Sequence, residues 1–132
     1  LDAGARLNGN PMQTTDKAGL DGSRFVAHKS ALNQNKWNDP VPRINCAMTT
    51  SLILRQCIVA SGEYDGAIAF GRKHDWDLAP GDLMVHEAGG RTLDLAGERF
   101  IYNRSSTRQN GMMAGSKALL DEIGERLHTV AA

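Results

Sequence analysis

Apolar positions along the chain fall into short runs separated by Gly, Pro, Asn and Asp, a pattern that predicts strands alternating with helices. An Asn8-Gly9 pair between extended flanks predicts a hairpin near the start. Strands alternating with helices are typical of layered α/β proteins, and we predict a three-layer α/β/α fold with a central mixed sheet and helices on both faces. The predicted strands are 24–28, 41–44, 66–70 and 91–95, with further candidates at 100–102 and 111–114.

The helices are predicted from longer patterns. Residues 46–60 are apolar nearly throughout, which is long for a strand and indicates a buried helix, ended by Ser61-Gly62. Ser116 is the expected N-cap of a C-terminal helix with a regular apolar face. The remaining predicted segments are helices at 29–37, 76–88 and 116–130 and an exposed loop at 104–110.

Composition narrows the class of protein. The 132 residues suffice for one domain with a real core, and 41% hydrophobic and 23% charged residues fit a soluble globular protein. Fifteen Lys plus Arg balance fifteen Asp plus Glu, which argues against a nucleic-acid or anionic-membrane partner. No apolar run is long enough to span a bilayer. Cys46 and Cys57 are expected to be reduced and buried, as in a cytoplasmic protein.

The start of the helix predicted at 76–88 has a distinctive chemistry. Asp75 or Asp77 can accept hydrogen bonds from the unpaired backbone N–H groups of the first turn, and Pro80 fits a helix that starts here. The positive end of the helix dipole favours an ionised carboxylate and, equally, a phosphate. The residues alone allow a plain N-cap, an anion site or a carboxylate presented to a cation.

The run HDWDLAPGDLMVHEAGG resembles the second signature of the inositol monophosphatase family, roughly W-D-x-A-A-x-x-x-x-x-E-A-G-G, with Pro80 where the family usually has alanine. Residues 52–65 (LILRQCIVASGEYD) resemble the family's helix ending V-A-x-G-x-x-D, and Gly4-Ala5 with Asn8-Gly9 resembles its G-A-x-x-N-G hairpin. The residues that match the signature are Trp76, Asp77, Ala79, Glu87, Ala88, Gly89 and Gly90.

The resemblance implies a phosphomonoesterase in which two or three Mg²⁺ ions bind the phosphate and one activates a water. Carried onto this sequence, the family's catalytic metal ligand is Asp77. Trp76 would brace the turn, and Glu87 would hold neighbouring backbone. Gly89 and Gly90 would end the helix where a side chain cannot fit.

The resemblance also implies that other ligands are needed. Members of the family supply them from an earlier half, as a glutamate and a D-P-x-D-G-T segment; here 21–23 (DGS) matches only the tail of that segment, out of order, and is predicted to be a turn. The chain opens on Leu1 in the middle of a hairpin pattern. We therefore expect residues 1–132 to be the C-terminal domain of a longer phosphatase without its N-terminal metal-binding half. The rival hypothesis is a non-catalytic remnant that acts in binding or assembly.

Substrate choice depends on weaker matches. Some members recognise inositol through a glutamate seven residues before the metal-binding aspartate, and Phe70 occupies that position here. Arg72 and Lys73 would favour a substrate with a second phosphate, such as a 3′-phosphorylated adenosine nucleotide, but they also fit a solvated loop.

Two serines, Ser30 and Ser51, match pocket positions of the family, although either also fits an ordinary structural role. The expected partners are a small phosphorylated metabolite, either an inositol phosphate or a 3′-phosphoadenosine nucleotide, the N-terminal half of the same protein, and a second copy in a homodimer. The expected cofactor is Mg²⁺. The four histidines do not cluster at metal-ligand spacing.

Overall fold

A computed structural model describes residues 4–38, 40–49, 51–106 and 108–127. The helices in this part are α1 (Leu52–Ala60), α2 (Asp75–Glu87) and α3 (Lys117–Arg126). Its strands are β1 (Arg6–Leu7), β2 (Asn10–Pro11), β3 (Arg24–Ala27), β4 (Asn45–Met48), β5 (Gly66–His74), β6 (Arg91–Leu93) and β7 (Arg108–Gly115). Strands and helices alternate through most of the chain, which agrees with the predicted α/β class.

Five strands form a mixed sheet in the order β4-β3-β5-β7-β6. The first three, β4, β3 and β5, run parallel, and β7 is antiparallel to both β5 and β6. The prediction of a central mixed sheet is therefore confirmed. Because β3, β4 and β5 are parallel, the segments that follow them emerge at the same edge of the sheet, here called the carboxyl edge.

The alternation of side chains along the strands separates two apolar clusters. Phe25 and Ile68 belong to a cluster with Leu119 and Ile123 of α3. The intervening residue Val26 belongs instead to a cluster with residues of α1 and α2. Since neighbouring residues of a strand face opposite sides, α3 covers one face of the sheet and α1 with α2 covers the other, as predicted.

The N-terminal hairpin is confirmed. Arg6 pairs with Pro11 and Leu7 with Asn10 across the turn. Asn8 and Gly9 have φ angles of 51° and 83°, and positive φ at both central residues is what a tight two-residue hairpin turn requires.

The predicted positions of the strand and the helix within 41–60 were wrong. No strand lies at 41–44; β4 begins at Asn45 and pairs with β3, and the helix begins only at Leu52. The apolar run hides this boundary because β4 and α1 both carry apolar residues. The signal that separates them is Ser51, whose hydroxyl accepts from the backbone N–H of Leu54. The first turn of α1 is also more exposed than a buried helix implies.

Other predicted elements also differ from those in the structure. The segment predicted as a helix at 29–37 forms two 3₁₀ turns, Lys29–Leu32 and Gln34–Lys36, and 100–102 forms no strand. The loop predicted at 104–110 gives way to β7 at Arg108, where pairing with the end of β5 overrides the polar sequence. Ser116 caps α3 as predicted, while 128–130 lie outside the described residues. The turn predicted at 21–23 is present.

Candidate active site

The carboxyl edge gathers several of the predicted site residues. Ser30 follows β3, Ser51 follows β4, and Asp77 follows β5 in the first turn of α2. Helices α1 and α2 both begin at this edge and pack against each other on the same face of the sheet. Crevices outside the carboxyl ends of parallel strands are the usual ligand sites of open α/β sheets. The topology therefore makes this edge the candidate site.

Asp77 is the third residue of α2 and is half-buried. One carboxylate oxygen, Oδ2, accepts from the backbone N–H of His74, the N-cap residue, at 3.3 Å. The expectation that Asp77 lies in the first turn of a helix is confirmed. The hydrogen bond from the N-cap backbone fixes the direction of the carboxylate.

Pro80 does not have the role that the sequence suggested. It is the sixth residue of α2, beyond the first turn whose N–H groups have no helical partner. An N–H at this position would donate to the carbonyl of Trp76, four residues earlier. Proline therefore removes one bond of the helix here, rather than occupying a place where no bond is needed.

The residues flanking Asp77 in the signature have clear contacts. Trp76 is 66% exposed and stacks on the His74 ring, with centroids 4.4 Å apart and planes within 6°. At the far end of α2, Oε1 of Glu87 accepts from the backbone N–H of Gly4 at 3.2 Å. Gly89 has a φ of +97°, and a Cβ on Gly90 would lie 2.8 Å from Cγ2 of Thr14, closer than real contacts allow. These two glycines therefore fit a helix end where a larger residue would be strained.

The two predicted substrate serines both have local partners. The Ser30 hydroxyl lies 2.9 Å from Nδ1 of His28, and its backbone N–H donates to the same nitrogen at 3.2 Å. The Ser51 hydroxyl caps α1, accepting from Leu54 at 3.2 Å. Both side chains lie at the carboxyl edge, but each already serves a turn or a helix start.

Phe70 and Arg72 flank an irregularity in β5. The pairing of β5 with β7 shifts register between Ala69 and Arg72, so a count of residues back from Asp77 does not translate into a regular strand position. The Phe70 ring packs against the apolar cluster on the α3 side, with the Lys36 ammonium 4.8 Å from its centroid. Arg72 is exposed.

Sequence reasoning missed Arg55, a buried cation at the same edge. Its side chain is in α1 and the residue is 7% exposed. The guanidinium donates to the carbonyl of Thr49, just after β4, at 2.8 Å, and to that of Ile68 in β5 at 3.4 Å. Burial lowers the pKa of Arg55 from its ordinary value. In the described part of the chain no carboxylate forms an ion pair with it.

Arg55 lies where the pairing between β3 and β5 ends. The last paired residues of β3 and β5 are Val26 and Ala67, so Ile68 is one residue beyond that pairing. The guanidinium therefore joins the segment just after β4 to β5, at the point where β3 no longer pairs with β5. The available sequence signal was a single arginine within an otherwise apolar helix, LILRQCIVA.

Asp75, one of the two candidate caps, is instead buried in the protein. It is 8% exposed and accepts from Nε2 of Gln109 at 2.8 Å and from the backbone N–H of Asn103 at 2.9 Å. These hydrogen bonds, led by that of Gln109, lower the pKa of the Asp75 carboxyl from its ordinary value. Two carboxylates two residues apart thus differ: Asp75 accepts from residues far along the chain, whereas Asp77 accepts from the backbone N–H of His74 at the helix start.

The Asp77 carboxylate suits one ligand of a hard cation such as Mg²⁺, because Mg²⁺ prefers carboxylate oxygen. Within residues 4–38, 40–49, 51–106 and 108–127, no group of three or more His, Cys, Asp and Glu side chains is arranged to hold a metal. Asp77 is thus a single candidate ligand. In the same part of the chain, no helix has the length and apolar character needed to cross a membrane.

A sequence profile of the inositol monophosphatase family matches residues 1–131. The chain belongs to this family. Among inositol monophosphatase structures, that of inositol monophosphatase-II from Staphylococcus aureus matches with a TM-score of 0.74 at 21% identity, over 92% of this chain and 46% of that one. A 2′AMP-bound SaIMPase-II gives 0.75 at 20% identity, over 93% and 47%. The predicted fold is thereby confirmed.

Two curated relatives are also similar to this chain. Nus factor SuhB of Vibrio cholerae is 30% identical over 132 residues, covering 93% of this chain and 48% of the relative. A 3′(2′),5′-bisphosphate nucleotidase of Emericella nidulans is 34% identical over 76 residues, covering 52% of this chain and 22% of the relative. The chain thus spans at most about half the length of these relatives.

Proposed function

We propose that this chain is the C-terminal half of a Mg²⁺-dependent phosphomonoesterase acting on a small phosphorylated metabolite, with Asp77 as one metal ligand. The observation that carries the proposal is the position of Asp77, fixed in the first turn of α2 at the carboxyl edge of a family-type sheet. A carboxylate fixed in direction at this edge of the sheet is suited to metal binding.

The chemistry follows from what surrounds that carboxylate. Bound Mg²⁺ supplies charge stabilisation and lowers the pKa of an attacking water. The start of α2 offers a positive dipole end that favours a phosphate. Arg55 adds a buried positive charge at the same edge, already oriented by two backbone carbonyls. We propose Arg55 as a phosphate-side contact in addition to Ser30 and Ser51.

The remaining ligands are proposed to come from the N-terminal half of a family-length polypeptide. Four exposed apolar side chains lie at the carboxyl edge or in the first turns of α1 and α2, and an exposed apolar surface of this kind commonly marks a contact site. We propose that the N-terminal half packs on this surface, here called the apolar collar. Its members are Met48, Ile53, Leu54 and Trp76.

For the substrate we propose a phosphorylated nucleotide in preference to inositol monophosphate. Phenylalanine at position 70 cannot accept hydrogen bonds from polyol hydroxyls. The name of the Emericella relative supports a nucleotide class. Because the Phe70 ring already contacts Lys36, stacking of a base on it is less well supported than phosphate recognition by Arg55 and Arg72.

The test uses a family-length polypeptide that contains this chain. Asp77→Asn should retain the fold and lose most turnover, since a neutral amide is a poorer Mg²⁺ ligand, whereas the exposed Asp121→Asn should remain active. The 132 residues alone should show no Mg²⁺-dependent turnover. Robust metal-dependent turnover by the isolated chain, or full activity of Asp77→Asn, would contradict the proposal.

Selectivity is measured as kcat/KM for adenosine 3′,5′-bisphosphate and for inositol 1-phosphate. The nucleotide should be preferred, and Phe70→Glu should shift the ratio toward inositol 1-phosphate. A strong preference for inositol 1-phosphate that Phe70→Glu leaves unchanged would remove the basis of the substrate proposal.

A second candidate is a non-catalytic binding or assembly domain. It is favoured by the single candidate ligand in the described residues and by the exposed apolar collar. A family-length polypeptide that folds normally but hydrolyses neither substrate with Mg²⁺ would support this candidate over the enzyme.

A further inference from the structure

One buried carboxylate joins the start of α2 to a distant loop. Oδ1 of Asp75 accepts from Nε2 of Gln109 in β7 at 2.8 Å, and Oδ2 accepts from the backbone N–H of Asn103 at 2.9 Å. Asp75 and Gln109 are 8% and 5% exposed. Both carboxylate oxygens of Asp75 therefore accept hydrogen bonds from groups 28 and 34 residues away along the chain.

The amide of Gln109 has a fixed orientation. Its Nε2 also donates to the carbonyl of Ile101 at 3.0 Å, and its Oε1 accepts from Nη2 of Arg104 at 3.2 Å. A flipped amide would bring its oxygen against the Ile101 carbonyl and its NH₂ group against the Arg104 guanidinium. The network therefore needs an acceptor at both oxygens of Asp75, which an asparagine cannot supply.

We propose that Asp75 is a positioning residue, which holds the first turn of α2 and thereby fixes the direction of the Asp77 carboxylate. The two residues share one helical turn, and Asp77 in turn accepts from the backbone N–H of His74, next to Asp75. Asp75 also keeps Arg104 near the helix start, through Gln109. The consequence for metal binding rests on the function proposed for Asp77.

The experiment compares Asp75→Asn with Asp82→Asn by NMR of the 132-residue chain. Asp82 is the matched control, because it ties the same loop to α2 through the Tyr102 hydroxyl, which donates at 2.6 Å, but further along the helix. In Asp75→Asn, hydrogen exchange of the Asn103 amide should quicken by roughly tenfold to a hundredfold, as expected for a lost bond to a charged group. The His74 amide resonance should also shift. Asp82→Asn should leave both signals near their original values.

A reversal variant separates positioning from general destabilisation. In the double variant Asp75→Asn/Gln109→Glu, the introduced asparagine amide can donate to the introduced glutamate carboxylate and Arg104 keeps an acceptor, but a carboxylate oxygen replaces the N–H that donates to the Ile101 carbonyl. The His74 resonance should therefore return part of the way. A His74 resonance that stays in place in Asp75→Asn, or that moves equally in Asp82→Asn, overturns the proposal.

Mn²⁺ serves as a paramagnetic probe of Asp77 in a family-length polypeptide that contains this chain, where the remaining ligands are proposed to lie. Broadening of the amides around Asp77 should require higher Mn²⁺ concentrations in Asp75→Asn than in Asp82→Asn. If the unaltered family-length polypeptide shows no broadening there, the metal role of Asp77 fails, while the Asn103 and His74 measurements still decide the positioning role. Broadening at the same concentrations in both variants would contradict the link from Asp75 to Asp77.

Discussion

The two helical layers on either side of the sheet are built differently. Both bury apolar residues against the strands, Leu78 and Val85 from α2 and Leu119 and Ile123 from α3. The two layers differ in the side chains that they expose. Trp76 is 66% exposed on α2, whereas α3 exposes charged side chains such as Lys117 and Asp121. The α3 layer is thus suited to face water, and the layer next to the candidate site retains an apolar surface suited to a further contact.

The interiors of the layers also differ in how closely their elements approach. A Cβ on Gly81 of α2 would overlap the side chain of Gln56 of α1, which is fully buried. A Cβ on Gly124 of α3 would meet nothing within 4 Å. The helix pair that carries Arg55 and Asp77 therefore depends on close contact between α1 and α2, whereas α3 depends mainly on its apolar stripe.

The largest expected effect compares one leucine from each layer. Leu119→Ala should lower the free energy of unfolding by about 2–5 kcal/mol, because the side chain is fully buried and leaves a cavity. Leu83→Ala on α2 should change it by less than about 1 kcal/mol, since Leu83 is 48% exposed. Urea unfolding of the isolated chain measures both. Equal losses would mean that the outer face of α2 is already covered in the isolated chain.

The next comparison uses the two helical glycines. Gly81→Ala should destabilise the chain by about 1–3 kcal/mol, because Gln56 has to move. Gly124→Ala should stabilise it by roughly 0.5–1 kcal/mol, since alanine favours helix and the space is open. Thermal unfolding measures both changes in stability, the loss in Gly81→Ala and the gain in Gly124→Ala. A neutral or stabilising Gly81→Ala would contradict the close α1–α2 contact.

Acid stability tests the α2 side of the molecule. The pKa of Asp75 is lowered in the folded state by hydrogen bonds from Gln109 and then Asn103. Its contribution to stability is therefore fully present above the ordinary aspartate value near 3.8, and it is lost as the pH falls through the lower folded value. Urea unfolding between about pH 5 and 2 should show a shallower loss for Asp75→Asn than for the unaltered chain. Parallel curves would contradict this role.

The sequence predicted best what depends on neighbouring residues. Asn8-Gly9 specifies its own turn and Ser116 its own helix start, so both were found without tertiary information. The boundary between β4 and α1 depends on pairing with β3, which the apolar run 46–60 does not record.

The candidate site divides in the same way. Asp77 stands in a recognisable local signature, whereas the roles of Arg55 and Asp75 depend on acceptors and donors that come together only in the folded chain. The carbonyl of Ile68 is thirteen residues from Arg55, and Gln109 is thirty-four from Asp75. No spacing rule along the sequence predicts such pairs, and the bulge after Ala69 further disturbs counting along β5.

The smallest expected effect concerns the outer faces themselves. In the isolated chain, Leu83→Gln should alter stability by no more than about 0.5 kcal/mol and reduce the binding of an apolar dye, because it removes an exposed apolar side chain. Lys117→Gln on α3 should leave dye binding unchanged. In a family-length polypeptide, Leu83→Gln should cost more stability than in the isolated chain where the surface covered by the N-terminal half extends from the apolar collar along α2 to Leu83, because a polar group then enters a contact. An equal loss of stability in both polypeptides would show that the N-terminal half does not contact Leu83.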